Sequence, residues 1–353
     1  MRFNNLNGVR AIASMGILMM HYFANLDIKP EMGILTQRII PWFTNFVFLF
    51  FVVSAFGMCC GYYEKVKNGA MSPLLFYKKR YLRILPFYAL LCCIDLIMNF
   101  NAETAMQVFV NLTFTNGLLM NPDRISVIGV GWFLGVVFLF YMVFPFFVFM
   151  IHSKRSAWVS MLITTVLCAM GLVYFFAPDF IPDIEMINHR QHIFCSAVFF
   201  VLGGLLYLYS KSIYNIMQHY GHFLAPCGLV AFLAYLCFFT SSNLLLQWFG
   251  YLVASALIML CVIAPDSKIM TNKIMDLFGK YSFEIYLCHM VMFRGLEKVH
   301  LTTVVSNANL NYFIVVAVGL MCSILFSIGF HKAYDNINQF ISGRTSSGSS
   351  GIC

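Results

Sequence analysis

The chain has 353 residues, of which 61% are hydrophobic and only 10% charged. A soluble domain carries about 25% charged residues, so composition excludes an ordinary soluble enzyme and points to an all-α, polytopic integral membrane protein. The apolar runs are continuous rather than alternating, which excludes a porin-like barrel. The net charge of +8 follows loop sidedness, as shown below, and does not indicate a nucleic-acid partner.

The first apolar run, Gly8 to Leu26, is predicted to span the membrane over 8–27. The opening MRFNNLNGVR shows no cleavage pattern, so this run is expected to remain as a span. It carries Arg10 and His21. Eleven helical residues make about three turns and roughly 16 Å of rise, so both side chains fall on nearly one face. With Arg10 at one surface, His21 lies past the midplane. Ionisable groups inside a span are costly and mark functional sites by default. Histidine is the natural general base near neutral pH, and an arginine at the mouth suits an anionic group of a donor. The plainer readings are an anchoring arginine and a core histidine bonded to a neighbouring helix.

The second span is predicted at 42–62 and contains Phe51-Val52-Val53-Ser54-Ala55-Phe56, where small residues suit helix packing. A basic cluster, Lys78 to Pro86, precedes and enters the third span at 81–98. Arg80 and Arg83 are three apart and share a helix face. Such a patch suits phosphate or anionic lipid. No Walker loop or GxGxxG accompanies it, so a nucleotide-like ligand would be held by side-chain charge. The stretch 104–120 is interrupted by Asn111, Thr113, Thr115 and Asn116 and reads as re-entrant or interfacial. Trp132 opens the span 132–150 as an interfacial tryptophan.

Further spans are predicted at 157–176, 192–209, 223–240, 246–264, 278–293 and 311–331, about ten in all. The outer connection 177–191 contributes Asp179, Asp183, Glu185, His189 and Arg190. In the short span 278–293, Ser282, Tyr286 and His289 fall at i, i+4 and i+7, a single stripe. Glu284 lies about 200° around from Ser282 at 100° per residue and is expected to pair with another helix or with water. The plain reading of the stripe is an interhelical hydrogen-bonding seam. The transmembrane domain is expected over 1–333. The remainder, 334–353, ends in a Gly/Ser-rich stretch and reads as a disordered cytoplasmic tail. The twelve cysteines have no metal-site spacing and read as small hydrophobes. No metal is expected.

Charge orients the ten spans. Of the 22 Lys and Arg, sixteen fall on the side of the N-terminus and six on the other. The positive-inside rule therefore places both termini in the cytoplasm.

At this point five pieces, in order, resemble the integral-membrane family called acyltransferase 3, which includes O-acetyltransferases of bacterial surface polysaccharides. They are Asn7-Gly8-Val9-Arg10-Ala11 with Met20-His21-Tyr22; Phe50 to Phe56, with Ala55 where a glycine usually stands; Arg80-Tyr81-Leu82-Arg83-Ile84-Leu85-Pro86; Trp132-Phe133-Leu134; and Ser282 to His289. The resemblance implies transfer of an acyl group from acetyl-CoA or another acyl-CoA to a hydroxyl of a carbohydrate or glycolipid acceptor, at the lipid bilayer of the cell (inner) membrane. It assigns Arg80 and Arg83, with Arg10, to the donor phosphates. His21 is then the general base, with a transient acyl-histidine as the other mechanism. Ser282 or Tyr286, and less directly His289, are oxyanion donors. The alternative is a transporter or flippase, which thioester turnover by the purified protein would distinguish.

Overall fold

The computed structural model describes residues 3–119, 125–175, 189–239, 241 and 243–347. The expected outer residues Asp179, Asp183 and Glu185 lie outside them. The described residues are helical and connected by short turns: α1 (Asn5–Asn25), α2 (Ile40–Trp42), α3 (Phe46–Lys67), α4 (Pro73–Met98), α5 (Ala102–Leu112), α6 (Trp132–Met150), α7 (Lys154–Met170), α8 (Ile193–Phe238), α9 (Leu244–Ile263), α10 (Lys273–Lys280), α11 (Ser282–Lys298) and α12 (Ala308–Ser347).

Local sequence sets many of these starts. Ser72 accepts from the Leu75 amide just ahead of Pro73, Asn101 from Thr104, Asn243 from Leu246, and Asn272 from Ile274 and Met275. Ser153 and Ser156 form a reciprocal capping box at α7. Each cap satisfies amides that a helix start leaves without an intrahelical partner.

Seven helical segments among the described residues are long and apolar enough to cross a membrane. Several expected boundaries move. The stretch 104–120 resolves into α5 and a 3-10 turn, Thr115–Leu118, both too short to cross. The predicted span 278–293 breaks at Tyr281 into α10 and α11. Residues 334–347 of the expected tail continue α12 as helix. Apolar Tyr334, Ile337 and Ile341 recur there at helical spacing.

The predicted spans 192–209 and 223–240 belong to one helical segment, α8, with Lys211 helical rather than in a loop. That segment is not a straight rod. Phe199 stacks on Phe48 at 4.5 Å, and Tyr207 meets Tyr63 at 5.2 Å, so the first arm runs alongside α3. Yet Phe232 meets Trp42 at 5.3 Å, and the Tyr235 hydroxyl accepts from Trp42 Nε1 at 3.4 Å. A straight helix would separate residues 199 and 235 by about 54 Å, whereas their partners lie six residues apart. The chain therefore reverses direction within the helical segment and returns as a second arm.

The core centres on α3, whose Phe48, Phe51, Val52, Phe56 and Met58 are buried. The first arm of α8 approaches it closely. A Cβ on Gly203 would collide with the Val52 carbonyl oxygen and lie 2.7 Å from the Ala55 Cβ. The methyl of Ala55, at the position where the acyltransferase motif usually has glycine, thus fits because α8 offers none opposite. A Gly203→Val variant should lose about 1–3 kcal/mol through overpacking. Gly228→Ala, with open space around its Cβ, should be neutral or mildly stabilising. Thermal unfolding of both in detergent checks this; equal behaviour would show that the α3–α8 contact tolerates bulk.

Candidate active site

Helix α1 is held at both ends. Asn5, buried at its start, donates to the carbonyls of Cys261, Ala264 and Pro265 at 2.9–3.2 Å and accepts from the Ser267 amide at 3.0 Å. Farther along, Tyr312 donates to Met19 O and Tyr22 to His289 O, both at 3.0 Å. The helix thereby lies against α10, α11 and α12 with Arg10 and His21 directed into two separate cavities.

One cavity, termed inner because the charge bias predicts its side to be cytoplasmic (the second is termed outer on the same ground), is about 400 Å³ and is lined by Arg10, Arg80, Arg83 and Lys280, with Ser54, Tyr141 and Ser282 among the remaining walls. The two expected arginine groups thus meet at one place, although 70 residues separate Arg10 from Arg80. Among the described residues none of these cations pairs with a carboxylate. The Arg80 guanidinium lies 4.4 Å from the Tyr62 ring and 5.7 Å from the Tyr141 ring, and its Nε is buried with no hydrogen-bond partner. Arg83 lies 6.0 Å from the Phe283 ring. Aromatic faces hold the planar cations and leave their N–H groups for a ligand. Gly57 makes room for the first arginine, since a Cβ there would stand 3.0 Å from Arg10 Nη2. Concentrated positive charge of this kind, in a partly enclosed cavity, binds phosphate-bearing anions.

The outer cavity, about 200 Å³, is lined by His21, Thr44, Val47, Trp132, Arg190, Gln191 and Tyr286, with the Gly129–Val130 backbone. Arg190 Nη1 donates to Thr44 Oγ1 at 2.8 Å. Trp132, read both as an interfacial anchor and as part of one of the five resembling pieces, is thus in a cavity wall with His21.

His21 and His289 are directly paired, with His21 Nδ1 3.0 Å from His289 Nε2. The tautomers follow from the partners. His289 Nδ1 lies 2.7 Å from the Tyr286 carbonyl, which can only accept, so Nδ1 carries the hydrogen. In a neutral ring, Nε2 then carries the lone pair and accepts from His21 Nδ1–H, which is also 3.1 Å from Ile17 O. His21 Nε2 is left as the basic nitrogen, on a side chain that lines the outer cavity. His289 is fully buried behind it. The arrangement suits proton abstraction: a base, oriented by a second ring that can share the positive charge it acquires.

The rest of the late stripe divides. Ser282 reaches the inner cavity, and its hydroxyl donates to Gly279 O at 2.9 Å. Tyr286 lines both cavities and donates to Val130 O at 3.3 Å. Glu284 points elsewhere: itself buried, it accepts at 2.8 Å from the half-buried His331 of α12. It lines neither of these cavities. Sequence reading missed the His21–His289 contact, the Tyr62 and Tyr141 faces around Arg80, and the roles of Thr44 and Gln191 in the outer wall. Among the described residues no His/Cys/Asp/Glu cluster is arranged to hold a metal.

The chain belongs to the acyltransferase 3 family: its acyltransferase domain matches over residues 3–331. No curated protein and no solved structure matches the chain. It is therefore a multi-pass membrane protein of an acyltransferase family.

The histidine pair makes a spectroscopic prediction. In the ¹⁵N-histidine spectrum of the reconstituted protein at neutral pH, His21 should carry its proton on Nδ1. His289→Ala should weaken that tautomer preference. A dominant Nε2–H form of His21 in the unaltered chain would refute the assignment.

Proposed function

We propose that the protein transfers an acyl group, in the simplest case acetyl, from an acyl-CoA to a hydroxyl of a sugar on a surface or exported glycan or its lipid-linked form. The observation that carries this reading is the placement of an arginine cavity and a histidine base at the two ends of one segment of α1. Arg10, Arg80 and Arg83 bind the donor phosphates on the cytoplasmic side. The acceptor enters the outer cavity beside His21, Trp132 and Thr44.

The chemistry then needs only the two substrates and the chain's own groups. His21 Nε2 takes the proton of the acceptor hydroxyl as its oxygen attacks the thioester carbonyl. The Nδ1–H bond to His289 strengthens as His21 gains charge, so His289 acts as a positioning residue. The tetrahedral oxyanion accepts a hydrogen bond from the Ser282 hydroxyl, reoriented from its present carbonyl partner. Collapse breaks the C–S bond, and the proton on His21 leaves with the CoA thiolate. An ester forms as a thioester is consumed, with no net change in protons or electrons.

His21→Ala and His21→Gln should lower transfer by about 10²–10⁴-fold while acetyl-CoA still binds. Arg80→Ala and Arg83→Ala should instead weaken acetyl-CoA binding, each losing a charge-assisted contact worth about 1.5–3 kcal/mol, or roughly tenfold or more in affinity. Calorimetry and acceptor acylation separate the two classes. Near wild-type turnover without His21 would make it structural, and unchanged donor affinity in both arginine variants would move the donor elsewhere. Binding without thioester turnover in the unaltered chain would favour a transporter.

The orientation belongs to the same proposal. Ten crossings, with α8 contributing two arms and α1 and α11 one each, put both termini in the cytoplasm and sixteen of 22 basic residues with them. Cysteines introduced beside Lys67 and Lys273 should be labelled from inside, and those beside Asp183 and Val304 from outside. Labelling of all four from one side would overturn this topology.

A further inference from the structure

The inner and outer cavities have one lining residue in common, Tyr286. Around it three aromatic rings from three helices close on one another. Tyr286 of α11 lies 5.2 Å from Phe133 of α6 and 5.7 Å from Phe50 of α3, and Phe50 and Phe133 are 6.1 Å apart. Phe50 and Phe133 face the inner cavity, whereas Val47, one helical turn before Phe50, and Trp132, one residue before Phe133, line the outer one. The three rings therefore form a partition. The arginines lie on one side of it and His21 on the other.

The partition also has a latch. The Tyr286 hydroxyl donates to the Val130 carbonyl at 3.3 Å, a long bond. Val130 belongs to the segment just before α6, and Gly129, Val130 and Trp132 of this stretch are themselves wall of the outer cavity. A ligand in the outer cavity would therefore adjoin the residue whose carbonyl accepts from Tyr286.

We propose that Phe50, Phe133 and Tyr286 form a gate between the two cavities, and that a hydroxylated ligand in the outer cavity opens it by drawing the Val130 carbonyl away from the Tyr286 hydroxyl. This rests on the reading that donor and acceptor enter from opposite sides. The closed gate keeps a donor thioester from His21 while only water is available to attack. It opens when a competing hydroxyl is in place. Excluding water until the reactants are assembled is a general use of movable closures, and here the closure is three side chains rather than a loop.

The test uses the full chain in proteoliposomes, with Thr44→Cys as a reporter on the outer-cavity wall. A membrane-impermeant thiol reagent is added from either face, and modification at position 44 is read by peptide mass spectrometry. With the three rings intact, labelling should come only from the face opposite Lys67. Tyr286→Ala should add labelling from the Lys67 face, at least tenfold faster than in its parent. Phe133→Ala, on a different helix, should do the same and guards against misfolding of either variant. In a second arm, Tyr286→Phe keeps the ring and removes the latch. It should raise acetyl-CoA hydrolysis in the absence of acceptor at least threefold. Labelling from the Lys67 face with all rings intact, or none after either alanine change, overturns the gate. Unchanged acceptor-free hydrolysis in a Tyr286→Phe chain that still turns over acetyl-CoA overturns the latch. Ring-dependent labelling in a chain that never turns over acetyl-CoA upholds the partition and sinks the acyl-transfer reading instead.

Discussion

The rise of a single helix governs this site. Arg10 and His21 are eleven residues apart on α1, and a helix converts that into a fixed axial distance of roughly 16 Å. The helix cannot slip, because Asn5 is bonded to the turn after α9 while Tyr22 and Tyr312 bond α1 to the elements on its other side. The cation cavity and the imidazole are thus placed by backbone geometry, and the other helices supply walls. Arg80 and Arg83 come from α4, the rings from α3, α6 and α11, and the second imidazole from α11.

The polar groups follow the rule that governs the interior of such a protein. Away from water, each donor and acceptor needs a partner. The His21–His289 pair meets that rule while leaving one basic nitrogen over, because two neutral rings in series have one more lone pair than the chain requires. Asn5 meets it with backbone carbonyls, and Glu284 meets it with one oxygen, which accepts from His331. Arg80 Nε, in the arginine cavity, and the second oxygen of Glu284 are among the buried atoms that have no such partner.

Much of this was legible in the sequence. Arg10 and His21 stood out because ionisable groups inside an apolar run are conspicuous, and helical spacing correctly set Glu284 apart from the Ser282 stripe. The pairing of His21 with His289 was not legible. The two are 268 positions apart, and periodicity says which face is polar but not which helix that face meets. The same limit hid the division of the stripe, with Ser282 in one cavity and Tyr286 touching both. The arms of α8 were found as two apolar runs, but the helical continuity of 210–222 between them was not legible. A chain near the membrane keeps its backbone groups paired by staying helical, and it bends instead. Ala55 read as a departure from the motif until Gly203 appeared opposite it.

The charge lining the inner cavity has a consequence of its own. Three arginines and a lysine share about 400 Å³ of lined space, and no carboxylate is among its lining residues. Charge of that density attracts counterions from solution. The resting protein is then an ion exchanger, and binding of a polyanion releases the small anions it displaces. Occupancy depends on the ionic composition of the adjoining solution as well as on ligand concentration, and declines as salt screens the field. With the proposed cytoplasmic placement, abundant cellular phosphates compete for the same charges, and the energy state of the cell becomes an input to the site.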